Sequence, residues 1–196
     1  MVNCIGIKST HFFGKNHEKI QPLLPLEIKI ESVTVVGVNQ VPQIVYRTSK
    51  GKCSTFLSKA KLINCLLCFL QIKHPNFSKV MSYSFQISGI NIDTENGNFF
   101  IANSEINAFL ERYNRATLEK LEVKLTAVSS LVINRIKGTV AEVNNIGCSC
   151  ADMVYRHTIC KHQIATHLYL QLNGWDSFAE YLQQNTGKKW EEKFRI

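Results

Sequence analysis

The chain is most unusual for what one long stretch of it lacks: between Glu31 and Asp93 there is no acidic residue. The same stretch holds Arg47, Lys50, Lys52, Lys59, Lys61, Lys73 and Lys79, a local charge of +7 in a chain whose formal net charge is +8. That imbalance disfavours cationic partners and points to an anionic one, because lysines and arginines that displace counterions supply most non-specific nucleic-acid affinity. The plainer reading is a solvated face that only keeps the protein soluble. Long apolar runs are also missing. Nothing reaches the roughly 20 residues a bilayer-crossing helix needs, and residues 1–8 lack the charged start and apolar core of a signal peptide. No membrane partner is expected.

Catalytic signatures are absent too. There is no nucleophile elbow, no phosphate loop and no paired-carboxylate motif, so neither an enzyme nor a small-molecule substrate is indicated. No internal repeat and no low-complexity segment stands out. Hydrophobic residues at 45% and charged residues at 19% exclude a disordered chain. Cysteines number seven, an odd count that suits a reducing interior better than a disulfide framework. The expected location is intracellular: cytoplasmic, or nuclear in a eukaryote.

What is present reads as α+β. Alternation over 27–38 and 41–46 predicts two strands, and residues 48–52 a turn returning through Cys53 to Phe56. Residues 58–72 are apolar nearly all round and read as a buried helix stopped by Pro75. Met81, Tyr83, Phe85 and Ile87 alternate with polar residues, and Asn96-Gly97 marks a hairpin between 90–92 and 99–101. Asn103 or Ser104 caps a helix with Ile106, Phe109, Leu110 and Tyr113 on one face. Leu118, Leu121, Leu125 and Val128 continue with helical spacing, so residues 103–130 are expected to form a helical connector. Cys65 and Cys68 have the spacing of a redox pair, but their apolar flanks make them small hydrophobes.

The strongest signal lies near the end. Cys148 and Cys150, nine intervening residues, then Cys160 and His162 make a ligand set of three thiols and an imidazole, as in a closed structural zinc site. Side chains two apart on a strand leave the same face, so Cys148 and Cys150 are expected on a strand. Cys160 is expected just before a helix and His162 in its first turn, since residues two apart inside a helix lie about 200° apart around the axis and cannot share one centre. Lys161, Arg156 and the helix N-terminus are expected to stabilise the net negative charge of the loaded site. His157 is a weaker ligand candidate, and His167 points away from the metal.

The run Cys148-Ser149-Cys150 with Cys160-Lys161-His162, leading into an apolar helix, closely resembles the SWIM zinc finger. The segment 136–143 looks like the strand preceding the first cysteine in that family. All four ligand positions match, and the resemblance covers about residues 131–175. The aromatic that often follows the first pair is not adjacent here; Tyr155 is the nearest. The resemblance implies a ββα module with one Zn2+ and binding to DNA or to other proteins, since such fingers occur in transposase-related, chromatin-remodelling and recombination-associated proteins.

The expected organisation is a basic mixed region (1–102), the connector (103–130), the finger (131–175) and a partly helical tail (176–196). The expected function is non-enzymatic nucleic-acid binding, with DNA favoured over RNA, through Arg47, Lys50, Lys52, Lys59 and Lys61. The alternative is an adaptor whose finger docks a protein such as a recombinase-like ATPase.

Overall fold

The computed structural model describes residues 29–37, 40–74, 77, 79–175, 180, 181 and 183. Residues 1–8, where the sequence predicts a short strand, residues 9–26, where Pro22 and Pro25 predict a loop, and most of the tail over 176–196 lie outside the described residues. Helices and antiparallel sheets alternate, an α+β arrangement, and the chain divides into two units, Met1–Arg115 and Ala116–Ile196. Among the described residues no helix is long and apolar enough to cross a membrane.

The first unit contains two blocks of one topology. Strands β1 (Lys29–Val36), β2 (Val41–Thr48) and β3 (Gly51–Phe56) form sheet A and lead into helix α1 (Lys59–Lys73). Strands β4 (Val80–Phe85), β5 (Gly89–Thr94) and β6 (Gly97–Ala102) form sheet B and lead into helix α2 (Asn103–Leu118). Both sheets are antiparallel meanders with the strands in sequence order. The second hairpin of each block turns on the same chemistry, Thr48-Ser49-Lys50-Gly51 and Thr94-Glu95-Asn96-Gly97. In each, the Lys50 or Asn96 N–H donates to the threonine Oγ1 at 3.1 Å, and Gly51 or Gly97 takes a positive φ of 121° or 131° that only glycine adopts at little cost. The chain thus repeats in topology although no repeat stands out in its residues.

Each sheet has one face toward the core. Ile30, Val33, Pro42 and Ile44 are buried in sheet A, and Ile90, Ile92 and Ile101 in sheet B. Ser58 starts α1 by accepting the Lys61 N–H on its Oγ (3.2 Å). Leu62, Ile63, Leu66, Phe69 and Leu70 are then buried along it, and truncating a fully buried Leu66 to alanine costs about 2–5 kcal/mol. Phe69 meets Phe109 of α2 edge-on, 5.2 Å between ring centroids. Cys65 and Cys68 are buried on α1. Burial pushes the Cys65 thiol up to about 12 and Cys68 well above its ordinary value, so both stay protonated and act as small apolar side chains.

One neighbour reaches the outer edge of sheet A: the Val33 N–H donates to Asn107 Oδ1 on α2 (2.7 Å). Gly89 marks the tightest backbone approach in sheet B. A Cβ there would stand 2.2 Å from the Ile101 carbonyl oxygen and 2.7 Å from Cζ of Phe100.

The second unit carries strands β7 (Glu122–Leu125), β8 (Ser130–Asn134) and β9 (Thr139–Val143), again a meander, called sheet C. The stretch 103–130, expected to be a helical connector, is helix only over its first part. Residues 103–118 are helix, but Lys120 takes φ 46°, and the chain re-enters as strand at Glu122. Val123 pairs with Val132 and Val132 with Ala141, so leucines spaced for a helix are overruled by strand pairing. Helices α3 (Ala151–Arg156) and α4 (Lys161–Leu172) follow. Helix α4 packs on sheet C, with Ile164 and Leu168 buried and the Ser130 and Thr166 hydroxyls 2.7 Å apart. Tyr181 returns to sheet C by donating its hydroxyl to the Thr126 carbonyl (2.6 Å).

Candidate metal centre

Four side chains from the two ends of the α3 region converge. The ligand atoms of Cys148, Cys150, Cys160 and His162 all lie within 4.8 Å of one another, and Cys148 Sγ is 3.8 Å from His162 Nδ1. A tetrahedral ion about 2.3 Å from sulfur and 2.0–2.1 Å from nitrogen has sulfur–nitrogen edges of about 3.6 Å. The Cys148–His162 pair is already near that separation, and closing the widest pair from 4.8 Å onto one such ion takes a contraction of about 1 Å. Four protein ligands would fill the coordination shell.

The local architecture differs from a plain hairpin and helix. Cys148 makes a single isolated bridge to Val143, and Cys150 is the N-cap of α3, so the first pair is not on a strand. The pair is nevertheless held. Asn144 Oδ1 accepts the Ile146 and Gly147 N–H groups (2.9 and 3.0 Å), the Ser149 N–H donates to the Glu142 carbonyl (2.9 Å), and the Glu142 N–H donates to Ser149 Oγ (2.9 Å). The nine residues between the pairs contain α3, which ends at His157 in the left-handed region, φ 50°. That histidine is exposed and outside the cluster.

Cys160 has two jobs at one atom. It is the N-cap of α4: its Sγ accepts the Gln163 N–H (3.4 Å), while its own N–H donates to Gln163 Oε1 (3.1 Å). A thiolate at a helix N-terminus is favoured by the unpaired N–H groups there. The Cys160 thiol is pulled down, first by the Cys148 thiol that hydrogen-bonds to it and then by His162 and the Gln163 N–H. The Cys148 thiol is raised by the same bond. Burial raises the Cys150 thiol as well, so of the three sulfurs Cys160 alone is favoured as a thiolate.

The two cations expected to neutralise the centre are engaged elsewhere. Arg156 pairs with Asp152 at 2.6 Å. Lys161, between two ligand positions, is buried and donates to Glu119 Oε2; the Asn134 amide donates to the same oxygen (3.0 Å), and Lys137 sits 3.5 Å from the other. Sequence reasoning missed this pairing because Glu119 lies far up the chain and reads as a solvated helix-face acid. It also placed His167 away from the metal without seeing that it is buried, where desolvation lowers its pKa to about 4.

The five cations singled out within 47–61 are not one surface. Arg47, Lys50 and Lys52 are exposed at the turn end of the β2–β3 hairpin, whereas Lys59 and Lys61 are half-buried at the opposite end, where α1 starts. Glu31, at the boundary of the acid-free stretch, sits on a β-bulge of β1. It accepts from Arg47 Nε (2.7 Å) and lies 3.7 Å from Lys52 Nζ. The Arg47 hydrogen bond holds its carboxyl below the usual carboxylate range. Lys59 lies over the Phe85 ring, 5.6 Å from its centroid, and Lys73 pairs with Glu105 at 3.1 Å. A stretch without acids in sequence is thus partly neutralised in space. Comparison with protein-family models, with curated proteins and with solved structures finds no match to this chain.

Proposed function

We propose that this is a zinc-stabilised, non-enzymatic protein that binds nucleic acid. The observation that carries the zinc assignment is the convergence of Cys148, Cys150, Cys160 and His162 within 4.8 Å. Three thiolates and one imidazole are a soft donor set suited to zinc, and a filled shell leaves no position for a water or substrate. Bound Zn2+ would supply folding energy and no chemistry of its own. The ligand order remains that of a SWIM-like finger, with a helical turn between its two pairs. Nucleic-acid binding is supported by the exposed Arg47, Lys50 and Lys52 at one hairpin end, which retain a net positive charge after Glu31 is counted. Metal analysis of the purified protein, joined to titration of labelled DNA and RNA across salt concentrations, tests both parts. One zinc per chain with salt-sensitive binding is expected; a zinc-loaded protein that ignores both polymers would leave only the structural half.

A second reading is favoured by a specific feature of the metal-bearing region. Ile146 is 85% exposed and Tyr155 81% exposed, with Val154 beside them in sequence also in water. Apolar side chains left outside a metal-pinned loop are typical anchors for a protein partner. On this reading the module is an adaptor, and Tyr155→Ala would abolish partner capture while leaving nucleic-acid affinity unchanged.

A further inference from the structure

We infer that the solvent-facing surface of sheet A is a platform for single-stranded nucleic acid, on which Phe56 stacks against a base while Arg47 and Lys52 meet phosphates. The inference rests on the nucleic-acid reading above and narrows its ligand.

The register puts these groups on one face. Across β2 and β3, Gln43 opposes Phe56, Val45 opposes Ser54 and Arg47 opposes Lys52. Directly opposed residues share a face, and the intervening pairs, Ile44 with Thr55 and Tyr46 with Cys53, turn to the other side. Along β3 the outward residues Lys52, Ser54 and Phe56 are all exposed. Phe56 is 62% exposed, and at that exposure it contributes little to the core. Gln43, beside Phe56, donates its amide to Ser54 at mid-strand (3.3 Å), and both can exchange hydrogen bonds with base edges. Four residues of strand separate Phe56 from Lys52, about 13 Å at roughly 3.3 Å per residue. That is room for more than one nucleotide laid along the strand.

Charge selects this face over its topological twin. The outward face of sheet B also shows an aromatic, Phe100, which is exposed. Its strands contain no lysine or arginine, and the face carries the carboxylate of Asp93, which accepts from Ser82 (2.5 Å) and Asn98 (2.6 Å). Of these two faces, among the described residues, sheet A alone joins an exposed ring to cations. Glu31 bridges Arg47 and Lys52 and so holds the two cationic heads side by side.

The ring also argues for single strands over duplex. In a duplex the base faces are covered by their neighbours, and the major groove admits a helix or a two-stranded ribbon, not the breadth of a three-stranded sheet. A splayed single strand offers π-faces to an aromatic and phosphates to cations, in a sequence-tolerant way. A protein partner fits this face less well, because the exposed phenylalanine is flanked by Gln43 and Ser54, Val45 on the same face is half-buried, and the far end is cationic.

The test is anisotropy titration of the full-length protein with labelled oligo(dT), oligo(rU) of the same length and a mixed-sequence duplex, between about 50 and 200 mM salt. Wild type should bind a single strand about tenfold tighter than duplex. Phe56→Ala should weaken single-strand binding about tenfold at every salt concentration, leaving the slope unchanged, and Phe56→Trp should retain it. The pair Arg47→Gln and Lys52→Gln should flatten the slope by about 1.4, at ~0.7 per phosphate contact on a single strand. Glu31→Gln, which frees both cations, should tighten binding. Duplex bound as well as single strands, with Phe56→Ala inert, would overturn this inference and leave nucleic-acid binding standing. Single-strand binding indifferent to all these variants would also overturn it. No binding to any of the three probes would remove the broader reading as well. Thermal unfolding of each variant, with Phe56→Trp as the size-conserving control, separates lost contacts from lost folding.

Discussion

Lys161 Nζ donates to Glu119 Oε2, and the lysine that makes this bond lies between Cys160 and His162 in the chain. A carboxylate just beyond α2 therefore grips the residue that separates two candidate ligands. Both partners are largely out of water, at 11% and 17% side-chain exposure. Removing one strands the other's charge, which costs more than the pair itself is worth.

Glu119→Ala should therefore destabilise the metal-bearing unit by about 2–3 kcal/mol. Replacing both members, Glu119→Ala with Lys161→Met, should recover more than half of that loss, with Lys161→Met alone as the other single variant. Chemical denaturation of the four proteins in a double-mutant cycle checks it. A double variant whose loss equals the sum of the two single losses would show that the pair is not coupled.

Cys160→Ser removes a candidate metal thiolate and alters the N-cap of α4 in one step. Metal content should fall from one zinc per chain toward none, and amide protection over 163–172 should collapse, because metal-binding energy in such a module is folding energy. A strong chelator added to wild type should produce the same loss. Hydrogen exchange followed by mass spectrometry reads both, and unchanged protection in α4 would mean that the metal does not hold the helix.

Acid should weaken the second unit through His167. Burial lowers its pKa from about 6.5 to about 4, so the folded state keeps it neutral where the unfolded chain has already taken a proton. The stabilisation is whole above about 6.5 and is lost as pH falls toward about 4, amounting to about 3 kcal/mol at most. His162 and the thiols also release metal in acid, so the comparison is between wild type and His167→Gln at pH 7.5 and 5. The variant should lose less stability than wild type over that interval. Parallel losses would exclude His167 as a contributor.

Gly89→Ala should cost about 1–3 kcal/mol. The added methyl would meet the Ile101 carbonyl oxygen at 2.2 Å, and that backbone atom cannot swing aside as a side-chain tip can. The adjacent Phe100 ring can yield, so Phe100→Ala placed on top of Gly89→Ala should relieve only a small part. Melting temperatures of the three proteins decide it.

Most strands of sheets A and B were legible because their signals are local. Alternation marked β1, β2, β4 and both arms of the β5–β6 hairpin, and the apolar run over 58–72 marked α1. Where the sequence reading failed, a distant partner had decided. Leu118, Leu121 and Leu125 are spaced for a helix, yet Lys120 breaks it and Val123 finds Val132 across a strand pair. The basic stretch looked unopposed because Glu31 meets Arg47 and Lys52 only once sheet A is folded.

The candidate site was legible in its ligands and not in its scaffold. Spacing alone could bring four donors together, and Cys160 ahead of an apolar helix is a local pattern. No local pattern distinguishes a strand from a helix N-cap at Cys150. That choice follows from the turn at Asn144 and the bonds between Ser149 and Glu142.

The bond from Val33 to Asn107 has a consequence for how copies of this protein meet. β1 and β3 are the margins of sheet A, and an uncovered margin is a template for pairing with a second chain. At β1 the Val33 N–H is already occupied by α2, so an incoming strand finds its donor taken. At β3 the deterrent is different: Lys50 and Lys52 line the approach, and two such margins brought together would repel. Cutting Asn107 back to alanine should thus show itself less as a loss of fold than as slow, concentration-dependent self-association, visible by light scattering.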